Sequence, residues 1–326
     1  MTAIAIPSGI VPSEGTAKVA DGTTLRTLHW APQGDPWVVA LVVHGLGEHA
    51  GRYGTVAGAL TAAGIDVYAY DHRGFGGSAG VRAYVDKFSQ FHDDLAERVL
   101  AARAACPGLP LVMYGHSLGG LITTGYVLSG RDLPMPDLLV LSAPGLDAEQ
   151  PAWKKSLAKI LTGITPKMKL ANGLAKGGLS RDPAVEAAVD ADPLCINTST
   201  VRFGAEAFAE QERVQAAIAG ISAMPMPTYV FHGSADPIVA PAASAILEGK
   251  GNVTRRVHEG LRHECHHEPE HEQVLAEVVA WIRANTEAPE AAPEAAPAPE
   301  AAPAPEAAES EAAAVSEPEA TPAGAV

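Results

Sequence analysis

Leu111-Val112-Met113-Tyr114-Gly115-His116-Ser117-Leu118-Gly119-Gly120 is the stretch that decides the fold. Four apolar residues read as a strand, a serine between glycines follows, and Leu118 to Leu128 carries helical spacing. A serine on a sharp strand-to-helix turn is a nucleophile elbow. The bare Gly-x-Ser-x-Gly pentapeptide arises by chance in a chain with 32 glycines. The strand before it and the helix after it separate the motif from coincidence. Side chains at the flanking glycines would collide with the neighbouring strand and helix, and the turn needs a sparsely allowed backbone conformation. Such a turn sets the hydroxyl at the carboxyl edge of a sheet, beside a helix N-terminus that favours negative charge.

The alternation continues on both sides of the elbow. Upstream, Asp21-Gly22 reads as the turn of a hairpin spanning Thr16 to Trp30. Pro36 to Val43 is a continuous apolar run, expected of a strand buried on both faces. Tyr53 to Ala63 has helical spacing and ends at Gly64, Ile65 to Tyr70 reads as a strand, and Phe88 to Ala105 as a helix. Downstream, Leu138 to Ser142, Thr228 to Phe231 and Thr254 to Val257 read as strands. Pro241 to Leu247 and Glu268 to Asn285 read as helices, the second closing the domain. The expected class is α/β, with a mostly parallel sheet of the eight-stranded type and helices on both faces. Residues 145–223 interrupt the pattern at a length no connecting loop needs, and they carry helical spacing of their own. An inserted helical lid is expected there.

Composition bounds the rest. Residues 287–326 contain 17 Ala, 9 Glu and 8 Pro, with no Lys, Arg or aromatic residue. Such a stretch buries too little apolar surface to order itself, so a disordered tail is expected. Residues 1–15 are expected as an N-terminal tail and 16–286 as one domain. The formal net charge is -15, of which the nine tail glutamates carry -9, leaving the body near -6. That sign gives no support to nucleic-acid binding. Three widely spaced cysteines, Cys106, Cys195 and Cys265, do not form a disulfide framework. The first residues lack a basic signal-peptide region, so a cytoplasmic protein is expected.

A serine nucleophile needs a base, an acid to orient it and donors for the oxyanion. The first apolar strand ends in His44-Gly45-Leu46-Gly47, where this architecture supplies one backbone N–H. The other comes from the residue after the nucleophile, so Leu46 and Leu118 are the expected oxyanion donors. His44 itself reads as a histidine that braces the loop. Acid and base should follow in the order Ser, Asp, His. Asp236 follows the strand Thr228 to Phe231, and His263 follows the last strand. Asp147 is the reserve acid.

Several blocks together resemble one family. They are His44-Gly45-Leu46-Gly47-Glu48-His49-Ala50-Gly51-Arg52-Tyr53, Asp71-His72-Arg73-Gly74, Gly115 to Gly120, Ser180-Arg181-Asp182, Asp192-Pro193-Leu194, Gly233 to Asp236 and Glu259 to His263. The chain resembles, from about residue 15 to 285, bacterial monoacylglycerol lipases and related lysophospholipase-like serine hydrolases of the α/β-hydrolase superfamily. The resemblance implies hydrolysis of lipid carboxylic esters, monoacylglycerol to glycerol and fatty acid foremost, without a cofactor. A lysophospholipase or short-chain carboxylesterase of the same fold is the alternative, and a zinc peptidase or a non-catalytic binding module the remote one. It supports Ser117, Asp236 and His263 as a triad and adds Glu48, Arg52 and His266 as residues of the glycerol site. For Glu48 and Arg52 a loop-bracing salt bridge is the equal alternative. A family tyrosine three residues before Asp-Pro-Leu is Val189 here, which removes a hydroxyl from the head-group site.

Two further features stand out. His263-Glu264-Cys265-His266-His267 matches the zinc-peptidase signature H-E-x-x-H, which works only on a helix. Gly260 before it and Pro269 after it place it in a loop, so zinc chemistry is not expected. Trp153 to Arg181 carries Lys154, Lys155, Lys159, Lys167, Lys169, Lys176 and Arg181 without one acid. Trp153, Leu157, Ile160, Leu161 and Ile164 recur there at helical spacing. The segment reads either as an interfacial helix for peripheral contact with anionic lipid or as an ordinary lid helix with solvated lysines.

Overall fold

The computed structural model describes residues 11–147, 152–173 and 175–286. The tail 287–326 and most of the N-terminal segment lie outside the described residues. The chain opens with a hairpin of β1 (Ser13–Lys18) and β2 (Thr24–Trp30), joined through Asp21-Gly22 as the turn signal implies. β3 (Val38–Val43), a short 3-10 turn, α1 (Gly54–Ala62), β4 (Ile65–Tyr70), α2 (Ser89–Ala105), β5 (Leu111–His116), α3 (Leu118–Val127) and β6 (Leu138–Ser142) follow.

An insertion comes next. It holds α4 (Ala152–Thr162), β7 (Lys169–Ala171), α5 (Pro183–Ala191), β8 (Thr198–Thr200) and α6 (Val201–Gly220). The chain returns through β9 (Ala223–Gly233), α7 (Ala242–Ala245), β10 (Gly251–His258) and α8 (His271–Ala284).

Eight strands form one sheet in the order β1-β2-β4-β3-β5-β6-β9-β10, parallel except at the β1 and β2 pairings. Every residue of β3 is buried, and the strand feeds two cores. Val39, Leu41 and Val43 join one face; Val38, Ala40 and Val42 join the other. β5 and β6 divide the same way, Met113 and Leu141 to one side and Val112 and Val140 to the other. Side chains alternate along a strand, so a strand covered on both faces reads as an unbroken apolar run. α1 and α8 cover one face with Leu60 and Val278, while α2, α3 and α6 cover the other with Leu95, Ile122 and Val214.

Some expected boundaries moved. The helix expected over Pro241 to Leu247 shrinks to the four residues of α7. α8 starts at His271 rather than Glu268, because Pro269 sits in the turn before it and the Glu268 carboxylate is bonded to Arg181 and Arg262. β9 extends back to Ala223 through Pro225 and Pro227, where pairing with β10 is irregular and missing N–H groups are tolerated. The insertion holds an antiparallel ribbon, β7 with β8, as well as helices. Three-residue strands are too short to show alternation in sequence.

Candidate active site

The elbow forms where β5 ends. Ser117 has φ +52° and ψ −114°, a sparsely populated conformation for a residue with a side chain. The Ser117 N–H donates to the Ser142 carbonyl (3.0 Å), and the Ser117 carbonyl accepts from Leu121 and Gly145. Close packing explains the flanking glycines. A Cβ on Gly119 would stand 1.9 Å from the Val43 carbonyl oxygen, and one on Gly115 would stand 2.4 Å from Thr123 Oγ1. Leu118 opens α3, so its N–H has no carbonyl partner within its own helix.

The loop after β3 lies against the elbow. A Cβ on Gly45 would stand 3.3 Å from Ser117 Cβ, which brings the chain leading into Leu46 beside the serine. His44 braces this loop, as its position in the sequence suggests. Its Nδ1 meets the Gly45 carbonyl at 2.8 Å, and its Nε2 accepts the His72 N–H at 2.9 Å. Burial lowers the imidazole to about 3, so the ring is neutral with its proton on Nδ1. The Gly45 carbonyl shares its peptide plane with the Leu46 N–H, so the histidine fixes the direction of that donor.

Asp236 and His263 meet at the same edge. His263 Nδ1 lies 2.7 Å from Asp236 Oδ2, leaving Nε2 as the accepting side of the ring. Asp236 Oδ1 accepts the N–H groups of Ile238 (2.8 Å) and Val239 (3.0 Å). Burial pushes the carboxyl up, but hydrogen bonds from His232 and His263 outweigh it and hold the group well below the usual carboxylate range. The His263 ring centroid is 4.8 Å from that of His116, the neighbour of Ser117.

The three residues assigned to a glycerol site sit in a buried polar lattice. Both Glu48 oxygens are occupied, Oε1 by the Gly45 N–H (2.6 Å) and Tyr53 O–H (2.7 Å), Oε2 by Arg52. The Arg52 fork also grips both oxygens of Glu264 at 2.7 Å. Glu264 would be raised by burial, yet Arg52 and His267 hold it well below its usual value. This is the geometry of a brace between the loop after β3 and the loop that carries His263. His266 is 0% exposed, stacked on Tyr53, with Nε2 unpartnered, so its ring presents no surface to a head group in this conformation. Sequence reading missed Glu264 and His232, both of which bond directly to site residues. Nothing in the local pattern marks them, because each partner comes from a distant segment or a neighbouring loop turn.

Two groups of ligand-type side chains come together among the described residues: Glu264, His266 and His267, and His49, Asp192 and Cys195. In the first, the Arg52 guanidinium already occupies both Glu264 oxygens, and the H-E-x-x-H run forms a loop and a 3-10 turn at Cys265–His267. In the second, His49 Nδ1 accepts the Gly51 N–H, so Nε2 carries the hydrogen and donates to Asp192 (2.8 Å). Neither donor set fits a metal ion as it stands: Arg52 holds both oxygens of Glu264 in the first, and in the second the hydrogen on His49 Nε2 faces Asp192.

The family described as serine aminopeptidase, S33, matches residues 34–270. The chain belongs to this family. Within it, the monoacylglycerol lipase of Mycolicibacterium smegmatis is 36% identical over 243 residues, covering 72% of this chain and 84% of the relative. The human monoglyceride lipase is 31% identical over 255 residues, covering 76% and 82%. The crystal structure of the Paleococcus ferrophilus monoacylglycerol lipase superposes with a TM-score of 0.70 at 28% identity, covering 84% of this chain and all of that one. The sheet order and elbow of this family member are those of an α/β-hydrolase fold, as its sequence implies.

Proposed function

We propose that the protein is a serine esterase that hydrolyses carboxylic esters of lipids, with monoacylglycerol as its substrate. The observation that carries this reading is the strained Ser117 elbow, facing the same sheet edge as the 2.7 Å His263–Asp236 pair. The monoacylglycerol lipase relatives supply the substrate class. In the first step Ser117 Oγ attacks the ester carbonyl carbon as His263 Nε2 takes its proton. The N–H groups of Leu46 and Leu118 receive the developing oxyanion, and Asp236 stabilises the imidazolium. His263 then protonates the departing glycerol oxygen, leaving an acyl-serine. Water, deprotonated by His263, attacks the acyl carbon and releases fatty acid and free serine.

The insertion acts as a lid that meets the lipid surface. Trp153 is 63% exposed, Ile160 63% and Ile164 72%, so the apolar stripe of α4 and its following turn points outward. Lys159, Lys167, Lys169 and Lys176 are exposed around it. An ordinary covering helix would bury that stripe; this one presents it between cations, which suits peripheral docking on anionic lipid. Among the described residues no helix is long and apolar enough to cross a membrane.

Fatty-acid release from a medium-chain monoacylglycerol tests the reading. Wild type turns over, and Ser117→Ala loses at least about 10³-fold in kcat. Equal turnover by the alanine variant, or release from short esters and lysophospholipids but never from monoacylglycerol, overturns it.

A further inference from the structure

Asp236 Oδ2 is shared between two histidines. His263 Nδ1 is 2.7 Å away and His232 Nε2 is 3.0 Å away. His232 is the penultimate residue of β9, four residues before Asp236, and is 0% exposed. Its Nε2 also lies 2.9 Å from the Val239 carbonyl. Both neighbours are acceptors, so Nε2 carries a hydrogen. The other ring nitrogen, Nδ1, meets Ser244 Oγ at 3.0 Å. Ser244 accepts Arg255 Nε–H (3.1 Å), and Arg255 also donates to the Pro241 carbonyl (2.9 Å). A chain of hydrogen bonds thus runs from Arg255 on β10, through α7, to the carboxylate.

We infer that His232 is a positioning residue for the reaction: it divides the charge of Asp236 between two imidazoles and thereby sets how strongly Asp236 stabilises the protonated form of His263. The inference rests on the proposed roles of Ser117, His263 and Asp236. Anchoring alone does not require His232, because two backbone N–H groups already hold Oδ1. The His232 bond falls instead on the oxygen that faces His263. A hydrogen bond to a carboxylate stabilises its charge and weakens its pull on a second donor.

Charged and titratable groups surround the pair from every side: Arg255 and His258 from β10, His116 from β5, Glu48 and Arg52 from the loop after β3, and Glu264, Cys265 and Glu268 from the segment after His263. Burial lowers His116 to about 4, lowers His258 and raises Cys265.

The test is the pH profile of kcat/KM between pH 5 and 9 on p-nitrophenyl butyrate, for wild type, His232→Leu, His232→Gln and Ser117→Ala. The leucine variant is expected to move the acid limb up by about half a unit, which lowers kcat/KM about threefold on the acid side of the limb. The glutamine side-chain amide can replace Nε2–H, so that variant returns to the wild-type limb. A leucine variant with wild-type rate and limb overturns the inference. So does one that is slow with an unmoved limb, which is the behaviour of a purely structural residue. Should the leucine variant not fold, Ser244→Ala, which frees the imidazole to rotate, must lose about threefold and shift the limb in the same direction; wild-type behaviour there overturns the inference. Activity in Ser117→Ala would instead overturn the reading of the site, whatever His232 does.

Discussion

The sheet body and the insertion between β6 and β9 place their apolar residues in opposite ways. β3 buries all six residues and divides them between two cores. α5 has no buried residue, and α4 with its following turn exposes Trp153, Ile160 and Ile164. Within the insertion α6 does bury residues, with Phe203, Val214 and Ile218 in the core beside α3.

Polar latches from the rest of the insertion land on the loop after β3 and on the loop that carries His263. The Ile196 N–H donates to the Gly47 carbonyl (2.7 Å) and His49 donates to Asp192 (2.8 Å), both on the loop after β3. Arg181 pairs with Glu268 (3.1 Å), and the Glu264 N–H donates to the Leu179 carbonyl (2.8 Å), both on the His263 loop. Burial makes the body rigid. Outside α6, the insertion meets these loops through hydrogen bonds rather than through a shared apolar core.

Breaking the body should have the larger effects. Asp236→Asn offers His263 Nδ1 an amide N–H₂, favours the wrong tautomer and should lower kcat by about 10³- to 10⁴-fold with little change in melting temperature. Gly119→Ala forces a methyl toward the Val43 carbonyl, 1.9 Å from the ideal Cβ position. It should destabilise the fold by about 3 kcal/mol or more in a denaturant titration.

The body should also be the acid-labile part. Burial lowers His44 to about 3 and His92 and His116 to about 4, from an ordinary 6.5. The unfolded chain binds these protons below 6.5 while the folded chain refuses them. Stability present above pH 6.5 is therefore lost as pH falls toward 4. A fall in melting midpoint of about 10 °C between pH 7 and pH 5 is expected by calorimetry.

Changes in the insertion should be smaller. Asp192→Ala cuts one latch on the loop after β3 and should lower kcat on a monoacylglycerol about fivefold while leaving the melting temperature within about 2 °C. An unchanged kcat would mean that the loop holds its shape without the insertion. Ile160→Glu should reduce cosedimentation with anionic vesicles about threefold, with short-ester hydrolysis unaffected. Equal binding to anionic and neutral vesicles would remove the docking role from α4.

The same contrast explains what the sequence made legible. β3, β5 and β6 announce themselves because burial on both faces writes continuous apolar runs. The elbow announces itself because only glycine fits beside Val43 and Thr123. Asp236 and His263 follow from strand order. The β7–β8 ribbon was not legible, since three residues cannot show a period. The brace of Glu48, Arg52 and Glu264 joins residues 212 positions apart, a pairing no local pattern encodes. His232 stands just before the Gly233 to Asp236 block, and its bond to Oδ2 depends on how the strand end curls.

The most direct test of the central claim, that the body's Ser117 is the nucleophile, is covalent labelling. A fluorophosphonate reacts with an activated serine, and peptide mass spectrometry locates the adduct. The expected result is one adduct on the peptide carrying Ser117, absent in Ser117→Ala and formed at least about 10³-fold more slowly in His263→Ala. An adduct on another residue, or labelling that ignores the loss of His263, would contradict it.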